Sequence, residues 1–402
     1  MINNVTVVES AGNIIKEMER MGVHRTGVEI MGPKAQFRVV KIKDVPVVSA
    51  NIIKQDMLSF GGEAATSRGT IDHSVRSSDV LIFGTVQQIE GLISKLKLQY
   101  FGLKQIAADI EEALDNYAGV PSAIRIGGKT FRFGERTYIM GILNVTPDSF
   151  SDGGMFFSAS IAVSRAKKML SEGADIIDIG GESTRPGARP VSVKEELKRV
   201  IPVIEAVSSM NGAVVSIDTT KSQVAEAAIK AGARMINDIS ALRFDSKMAK
   251  LAARKKVPVV LMHILGKPRT MQKNPRYKDL MADIISYLQK SISLAIREGV
   301  LKRNLIVDPG FGFGKTPEHN LEILRSLRQL RVLGQPVLIG TSRKSTIGSI
   351  LQAPADQRLE GTAATVTAAI AAGADIVRVH DVGAMKNVAK VSDAIYRQPE
   401  GK

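Results

Sequence analysis

One repeating pattern in this 402-residue chain leaves few folds open: an apolar run that stops at a polar residue or glycine, then a helix-patterned segment. The first run starts at Tyr138 and breaks off in Asn144-Val-Thr-Pro-Asp-Ser-Phe-Ser-Asp-Gly-Gly154. The others cover Ala174–Gly180, Ala213–Asp218, Ala233–Asn237, Val257–His263, Asn304–Asp308, Pro336–Gly340 and Ala374–His380. Strands buried on both faces read as continuous apolar runs, as in Ile176-Ile177-Asp178-Ile179. Alternation with helices and a count of about eight predict an α/β fold, a (β/α)8 TIM barrel; a doubly wound open sheet fits less well.

In such a barrel the C-terminal strand ends meet at one face, which carries the active site. Asn144, Asp218, Asn237, His263, Asp308 and His380 end these runs, with Thr184 and Lys344 on the loops beyond. Their agreement in position predicts a common site. Arg378 and His380 alternate along the last strand and so share one side of it. His319, after Pro317-Glu318, reads as an exposed or capping residue at a helix start.

A small α/β or α+β domain over residues 1–120 precedes the barrel of residues 122–402. Ala11–Met21, Val47–Phe60, Thr85–Lys97 and Leu103–Tyr117 read as helices, and Phe37–Ile42 and Asp79–Phe83 as strands. Tyr117-Ala-Gly-Val-Pro-Ser122 reads as the linker. Ile124–Arg136 then reads as a hairpin turning at Gly127-Gly128. His24, His73 and Gly61-Gly62-Glu63 form no convincing site in the first domain, whose role stays open.

The net charge of +15 falls entirely in the barrel, because the first 127 residues hold 14 basic and 14 acidic side chains. Aromatics make up only 4% of the chain and the basic residues are dispersed, which argues against nucleic acid as a partner. A small polyanionic substrate or surface solvation accounts for the charge as well. The absence of cysteine excludes disulfides, thiolate nucleophiles and Cys-ligated metals. No apolar run reaches membrane-spanning length and no basic region precedes an apolar N-terminal stretch, so the expectation is a soluble cytoplasmic protein.

Residues 122–398 resemble the dihydropteroate synthase family, pterin-binding TIM barrels. The resemblance rests on Asn144–Gly154, Gly180-Gly-Glu-Ser-Thr-Arg-Pro-Gly187, Ser216-Ile-Asp-Thr219 and Ile236-Asn-Asp238. It continues in Asp308-Pro-Gly-Phe-Gly-Phe-Gly-Lys315, Ser342-Arg-Lys-Ser345 and Arg378-Val-His-Asp381. Several unrelated strings in family order are far more specific than one glycine motif. The resemblance implies a transferase of folate biosynthesis that joins 6-hydroxymethyl-7,8-dihydropterin pyrophosphate to p-aminobenzoate, with Mg2+ as cofactor and a homodimeric assembly.

It assigns Asp218, Asn237, Met262, Asp308, Gly340, Lys344 and Arg378 to the pterin and Asn144, Arg378 and His380 to pyrophosphate, with Asn144 also toward the metal. Asn144, Lys344, Arg378 and His380 are the expected catalytic group. Thr184, Arg185, Pro186, Phe313 and Ser345 are assigned to p-aminobenzoate, and Asp148 and Asp152 to a mobile loop. The chemistry agrees: a carboxylate accepts paired bonds from the guanidine-like pterin edge, and an amide oxygen suits a hard cation. Gly310, Gly312 and Gly314 are expected to let their loop turn sharply and project Phe313. A pterin-binding methyltransferase and a non-catalytic pterin-binding protein stand as alternatives.

Overall fold

The computed structural model describes residues 11–145, 155–183 and 187–397. It divides into two compact units, Met1–Asp115 and Asn116–Lys402. The linker predicted at Tyr117–Ser122 starts inside the last turn of a helix that runs to Ala118.

The first unit contains α1 (Ala11–Arg20), α2 (Arg25–Ala35), β1 (Phe37–Pro46), α3 (Val47–Ser59), β2 (Glu63–Ala65), β3 (Ser77–Thr85), α4 (Val86–Leu96) and most of α5 (Leu103–Ala118). Its strands pair antiparallel in the order β1-β3-β2. Val45, Ile53, Met57, Val80, Ile82, Ile89, Leu92, Leu103 and Ile110 form its core. The predicted strand from Phe37 runs on to Pro46 because the register shifts between Ile42 and Val45, where Asp44 takes a φ of 55° and absorbs the irregularity. Helix α2 has no counterpart in the sequence reading; Gly27, Gly32 and Pro33 hide it.

The second unit opens with a hairpin, β4 (Ile124–Ile126) and β5 (Lys129–Phe131), that turns at Gly127 and Gly128 with φ of 55° and 85°. Then come β6 (Tyr138–Asn144), α6 (Met155–Ser171), β7 (Ile176–Gly180), α7 (Val193–Ser208), β8 (Val215–Asp218), α8 (Ser222–Ala231), β9 (Met235–Asp238) and α9 (Met248–Lys255). The chain continues with β10 (Val259–Met262), α10 (Leu280–Arg297), β11 (Leu305–Asp308), α11 (Pro317–Ser326), β12 (Leu338–Ile339), α12 (Ser345–Leu351), α13 (Leu359–Ala371), β13 (Ile376–Val379) and α14 (Val382–Tyr396). The eight strands β6 to β13 form one parallel sheet in the order β11-β10-β9-β8-β7-β6-β13-β12, and a parallel bridge from Val307 to Val337 closes it into a barrel.

Most of these strands begin one or two residues later than their apolar runs, and the cause lies in how the helices end. Gly173, Gly232, Gly299 and Gly373 take positive φ, as does Lys256. The next residue then bonds back into the helix: Ala174 to Met169, Ala233 to Ala228, Val257 to Ala252, Val300 to Ala295 and Ala374 to Ala369. These Schellman-type caps use the backbone N–H of an apolar residue that would otherwise join the ladder.

Alternation along the strands sorts their residues into two sets. Ile139, Ile177, Ile179, Val215, Ile217, Ile236, Val259, Leu261, Val307 and Val377 pack outward against the helices. Met140, Ile176, Val214, Met235, Val260, Ile306, Leu338 and Ile376 point inward, where Ile124, Ile126, Phe131 and Phe133 of the hairpin segment close over them. This apolar plug fills the N-terminal end of the barrel and leaves the polar inward positions toward the other end.

Candidate active site

Two residues above the plug, inward positions turn polar. Asp178, Asn237 and Asp308 are buried there, at 0%, 3% and 5% exposure. Asp178 Oδ2 accepts from Asn237 Nδ2 at 2.9 Å and from Arg378 Nε at 2.7 Å. Arg378 turns its other nitrogen to Asp218 Oδ2, also at 2.7 Å. The planar guanidinium is thus held by two carboxylates on β7 and β8. Burial raises the Asp218 carboxyl above the usual range, and Arg378 opposes that rise.

Asn144 ends β6, and a Cβ placed on Gly180 would lie 3.7 Å from both Asn144 Oδ1 and Asp218 Oδ2. Glycine at 180 therefore leaves these two oxygens on either side of an open backbone. Gly340 lies against Arg378, whose Cβ would be 3.6 Å from a side chain there.

Asp308 Oδ1 accepts the Gly310 backbone N–H at 2.7 Å. Burial pushes its carboxyl up to about 6, against the Gly310 bond and Lys344. Gly310 has φ 69°, and a Cβ on it would meet the His263 carbonyl oxygen at 1.9 Å, so only glycine fits. Gly312 and Gly314 also take positive φ, and the resulting turn sets Phe313 beside Met262 in an apolar cluster with Ile239, Ile264 and Met271. Lys344 Nζ lies over the Phe313 ring, 4.2 Å from its centre.

His380 follows β13, and its Nδ1 is 3.0 Å from Ser342 Oγ. Burial, reinforced by Arg378 and Arg343, pushes its pKa down to about 3, so the ring is neutral. Ser345 is exposed at the first residue of α12. His263 is turned out of the barrel: its Nδ1 meets Lys315 Nζ at 2.9 Å and its ring packs edge-on to Tyr287. His319 caps α11 through a reciprocal pair with Thr316, as its position after Pro317-Glu318 predicts. Thr184, Arg185, Pro186, Asp148 and Asp152 lie outside the described residues.

The structure thus brings together Asn144, Asp218, Asn237, Arg378 and Gly340 around Asp178, and Met262, Asp308, Phe313 and Lys344 beside one another. Two functional candidates escaped the sequence reading. Asp178 sits inside an isoleucine run that reads as core, although its even spacing from Gly180 marks it as inward-facing. Lys315, buried at 3%, ends a motif read for its glycines; it donates to the Phe313 carbonyl at 2.9 Å, and burial lowers its pKa to about 7.

A closed parallel barrel with a ring of carboxylates, amide and guanidinium at the C-terminal strand ends defines a (β/α)8 enzyme with its ligand site at that mouth. Residues 140–380 match the pterin binding enzyme family, and the chain belongs to it. It is 51% identical over 278 residues to the dihydropteroate synthase of Synechocystis, covering 69% of this chain and 96% of that protein. The crystal structure of a Clostridium difficile dihydropteroate synthase in the presence of pteroic acid is 50% identical. It superposes with a TM-score of 0.63 over 66% of this chain and 99% of that one. A probable bifunctional folylpolyglutamate synthase/dihydropteroate synthase of Halobacterium salinarum is 41% identical over 386 residues, 96% of this chain and 46% of that protein. A match of that length includes the N-terminal unit. Within the family the chain groups with the dihydropteroate synthases, transferases of folate biosynthesis.

Proposed function

We propose that the barrel condenses 6-hydroxymethyl-7,8-dihydropterin pyrophosphate with p-aminobenzoate, releasing 7,8-dihydropteroate and pyrophosphate. The observation that carries this reading is the fixed guanidinium of Arg378, flanked by Asp178 and Asp218 and set among Asn144, Asn237 and Gly340. Asp308 and Asp218 offer acceptors to the pterin amino and ring N–H groups, and Asn237, its amide N–H already given to Asp178, keeps an oxygen for the same edge. Lys344 supplies a cationic donor beside Phe313 and Met262.

At the other end of the substrate, Arg378, His380 and Asn144 would hold the pyrophosphate. The pterin methylene C–O bond breaks, its electron pair leaves with pyrophosphate, and donors already in place stabilise that charge as it develops. The neutral amine of p-aminobenzoate forms the new C–N bond and then releases a proton, so no strong base is required. The p-aminobenzoate slot belongs in this reading to Phe313, Ser345 and the Thr184-Arg185-Pro186 loop.

Mg2+ belongs to the same proposal. Among the described residues no group of three or more His, Cys, Asp or Glu could hold an ion. The Asn144 oxygen is of the type that suits a hard cation and would be the residue that holds it. When bound, the ion supplies neutralising charge to the leaving group. A homodimer and a cytoplasmic location complete the reading; among the described residues no helix is long and apolar enough to cross a membrane. The deciding experiment measures pyrophosphate release and dihydropteroate formation with each substrate omitted in turn. Product that requires both supports the reading, and release without p-aminobenzoate-dependent product overturns it.

A further inference from the structure

Ser342 Oγ makes two contacts with the same residue: it accepts the His380 backbone N–H at 3.1 Å and lies 3.0 Å from His380 Nδ1. The serine is 3% exposed. A backbone N–H can only donate, so one serine lone pair is already taken. The ring contact then has two possible directions. If Nδ1–H donated to Oγ, the serine proton would be left in a buried place with no acceptor among the described residues, which is unfavourable for a buried donor. If Oγ–H donates to Nδ1, every group in the trio is satisfied.

We infer that Ser342 is a positioning residue that fixes His380 as the tautomer with its proton on Nε2, so that the ring offers a neutral N–H donor to an anionic oxygen of the substrate. The inference rests on the pyrophosphate role proposed for His380 but adds the residue that prepares it. The cations Arg378, Arg343 and Arg165 around the ring disfavour its protonation, while Asp381, the nearby carboxylate, is engaged with Arg343. A donor of this kind keeps its strength across the neutral range, because it does not depend on imidazolium. The bond also fixes the ring plane, since both the backbone and the side chain of His380 are tied to one oxygen.

The test is 15N nuclear magnetic resonance of the full chain labelled at histidine, with the signal of His380 assigned among five histidines by a His380→Gln variant. The expected result at pH 7 is a pyridine-type Nδ1 and a pyrrole-type Nε2. A pyrrole-type Nδ1, or an imidazolium, overturns the inference outright. In Ser342→Ala the two nitrogens should move toward averaged shifts, and affinity for inorganic pyrophosphate with Mg2+ should fall about five- to tenfold, the size of one neutral hydrogen bond. Ser342→Thr should restore both. If Ser342→Ala leaves the shifts unchanged, the serine does not set the tautomer. Unchanged pyrophosphate affinity in His380→Gln would instead remove His380 from the pyrophosphate site, while the tautomer assignment would stand on the wild-type spectrum.

Discussion

Asp178 and Arg378, 200 residues apart in the chain, meet through a 2.7 Å bond that also ties in Asn237, because all three occupy inward positions of the same barrel. Asp178 is fully buried and its Oδ2 serves both partners. It touches the two groups proposed for the substrate without being assigned a contact of its own. Removing one member of a buried pair leaves the other uncompensated and costs several kcal/mol.

Asp178→Asn should therefore reduce kcat/KM about a hundredfold, or ~2.7 kcal/mol of transition-state stabilisation, while the protein still folds. Pterin affinity should fall with it, since Asn237 and Arg378 both lose their anchor. Steady-state kinetics, calorimetry with a pterin and thermal denaturation on one preparation check this. Wild-type kinetics in the variant would show that Asp218 alone can hold the arginine.

Why Asp178 was not legible is a matter of period. A strand buried on both faces gives no polar alternation, so one aspartate among isoleucines resembles a core run with a defect. The eight strands could be read because each run ends abruptly, and the ends gathered most of the site at one face. The strand starts were less clear, since Ala174, Ala233 and Ala374 look like strand but close helix caps. Helix α2 was missed for the opposite reason: Gly27, Gly32 and Pro33 carry a breaker signature that tertiary packing overrides. His263 ends an apolar run as Asp308 does, but its odd position turns it out to Lys315 and Tyr287, a difference set by strand register.

Gly310→Ala is expected to disable the pterin pocket. The alanine methyl would meet the His263 carbonyl oxygen and the φ of 69° would be strained for it, at about 1–2 kcal/mol before the clash is counted. Relief requires the turn to move, which withdraws the N–H that Asp308 Oδ1 accepts. Urea denaturation and pterin titration measure the two effects, and a variant normal in both would show that the turn has another way to close.

Pterin affinity should rise with pH through the Asp308 titration. Its carboxyl lies near 6 because burial disfavours the charge. A raised carboxyl pKa means that the folded state binds more protons than the unfolded chain between about 4 and 6, so this group lowers stability as pH rises through that window. The ionised form is the better acceptor for pterin N–H groups, so affinity should be weak near pH 5 and, with Asp218 raised by burial to about 7, level off only near 8. Asp308→Asn should bind weakly at every pH and lose the part of the rise near 6, keeping only the part that Asp218, raised by burial to about 7, contributes. Asp218→Asn, because its carboxylate also holds Arg378, should weaken binding while leaving the rise through 6 in place. Calorimetry from pH 5 to 8 checks all three proteins.

Lys315 gives a prediction of opposite sign. Its ammonium is buried between His263 Nδ1 and the Phe313 carbonyl, and burial lowers its pKa to about 7, with Asp308 opposing. Between that value and the unfolded 10.5 the unfolded chain binds more protons than the fold. Stability should therefore increase with pH above 7, by at most ~1.4 kcal/mol per pH unit for one proton. The buried tyrosines Tyr138, Tyr277 and Tyr287 are shifted upward, so their effect begins only near 10, and the Asp218 carboxyl, raised to about 7, is ionised by about 8, which leaves the window from 8 to 9.5 to Lys315. Lys315→Met fills similar volume without a charge to desolvate, so it should abolish this slope and match or exceed wild-type stability at pH 7. It should also release the Phe313 carbonyl, leaving the ring and the Lys344 ammonium above it less well placed, which raises KM several-fold with little change in folding. Denaturation at pH 7, 8 and 9 together with KM for each substrate separates the two effects. A slope that survives in Lys315→Met would assign the titration to another group, and an unchanged KM would reduce Lys315 to a packing residue.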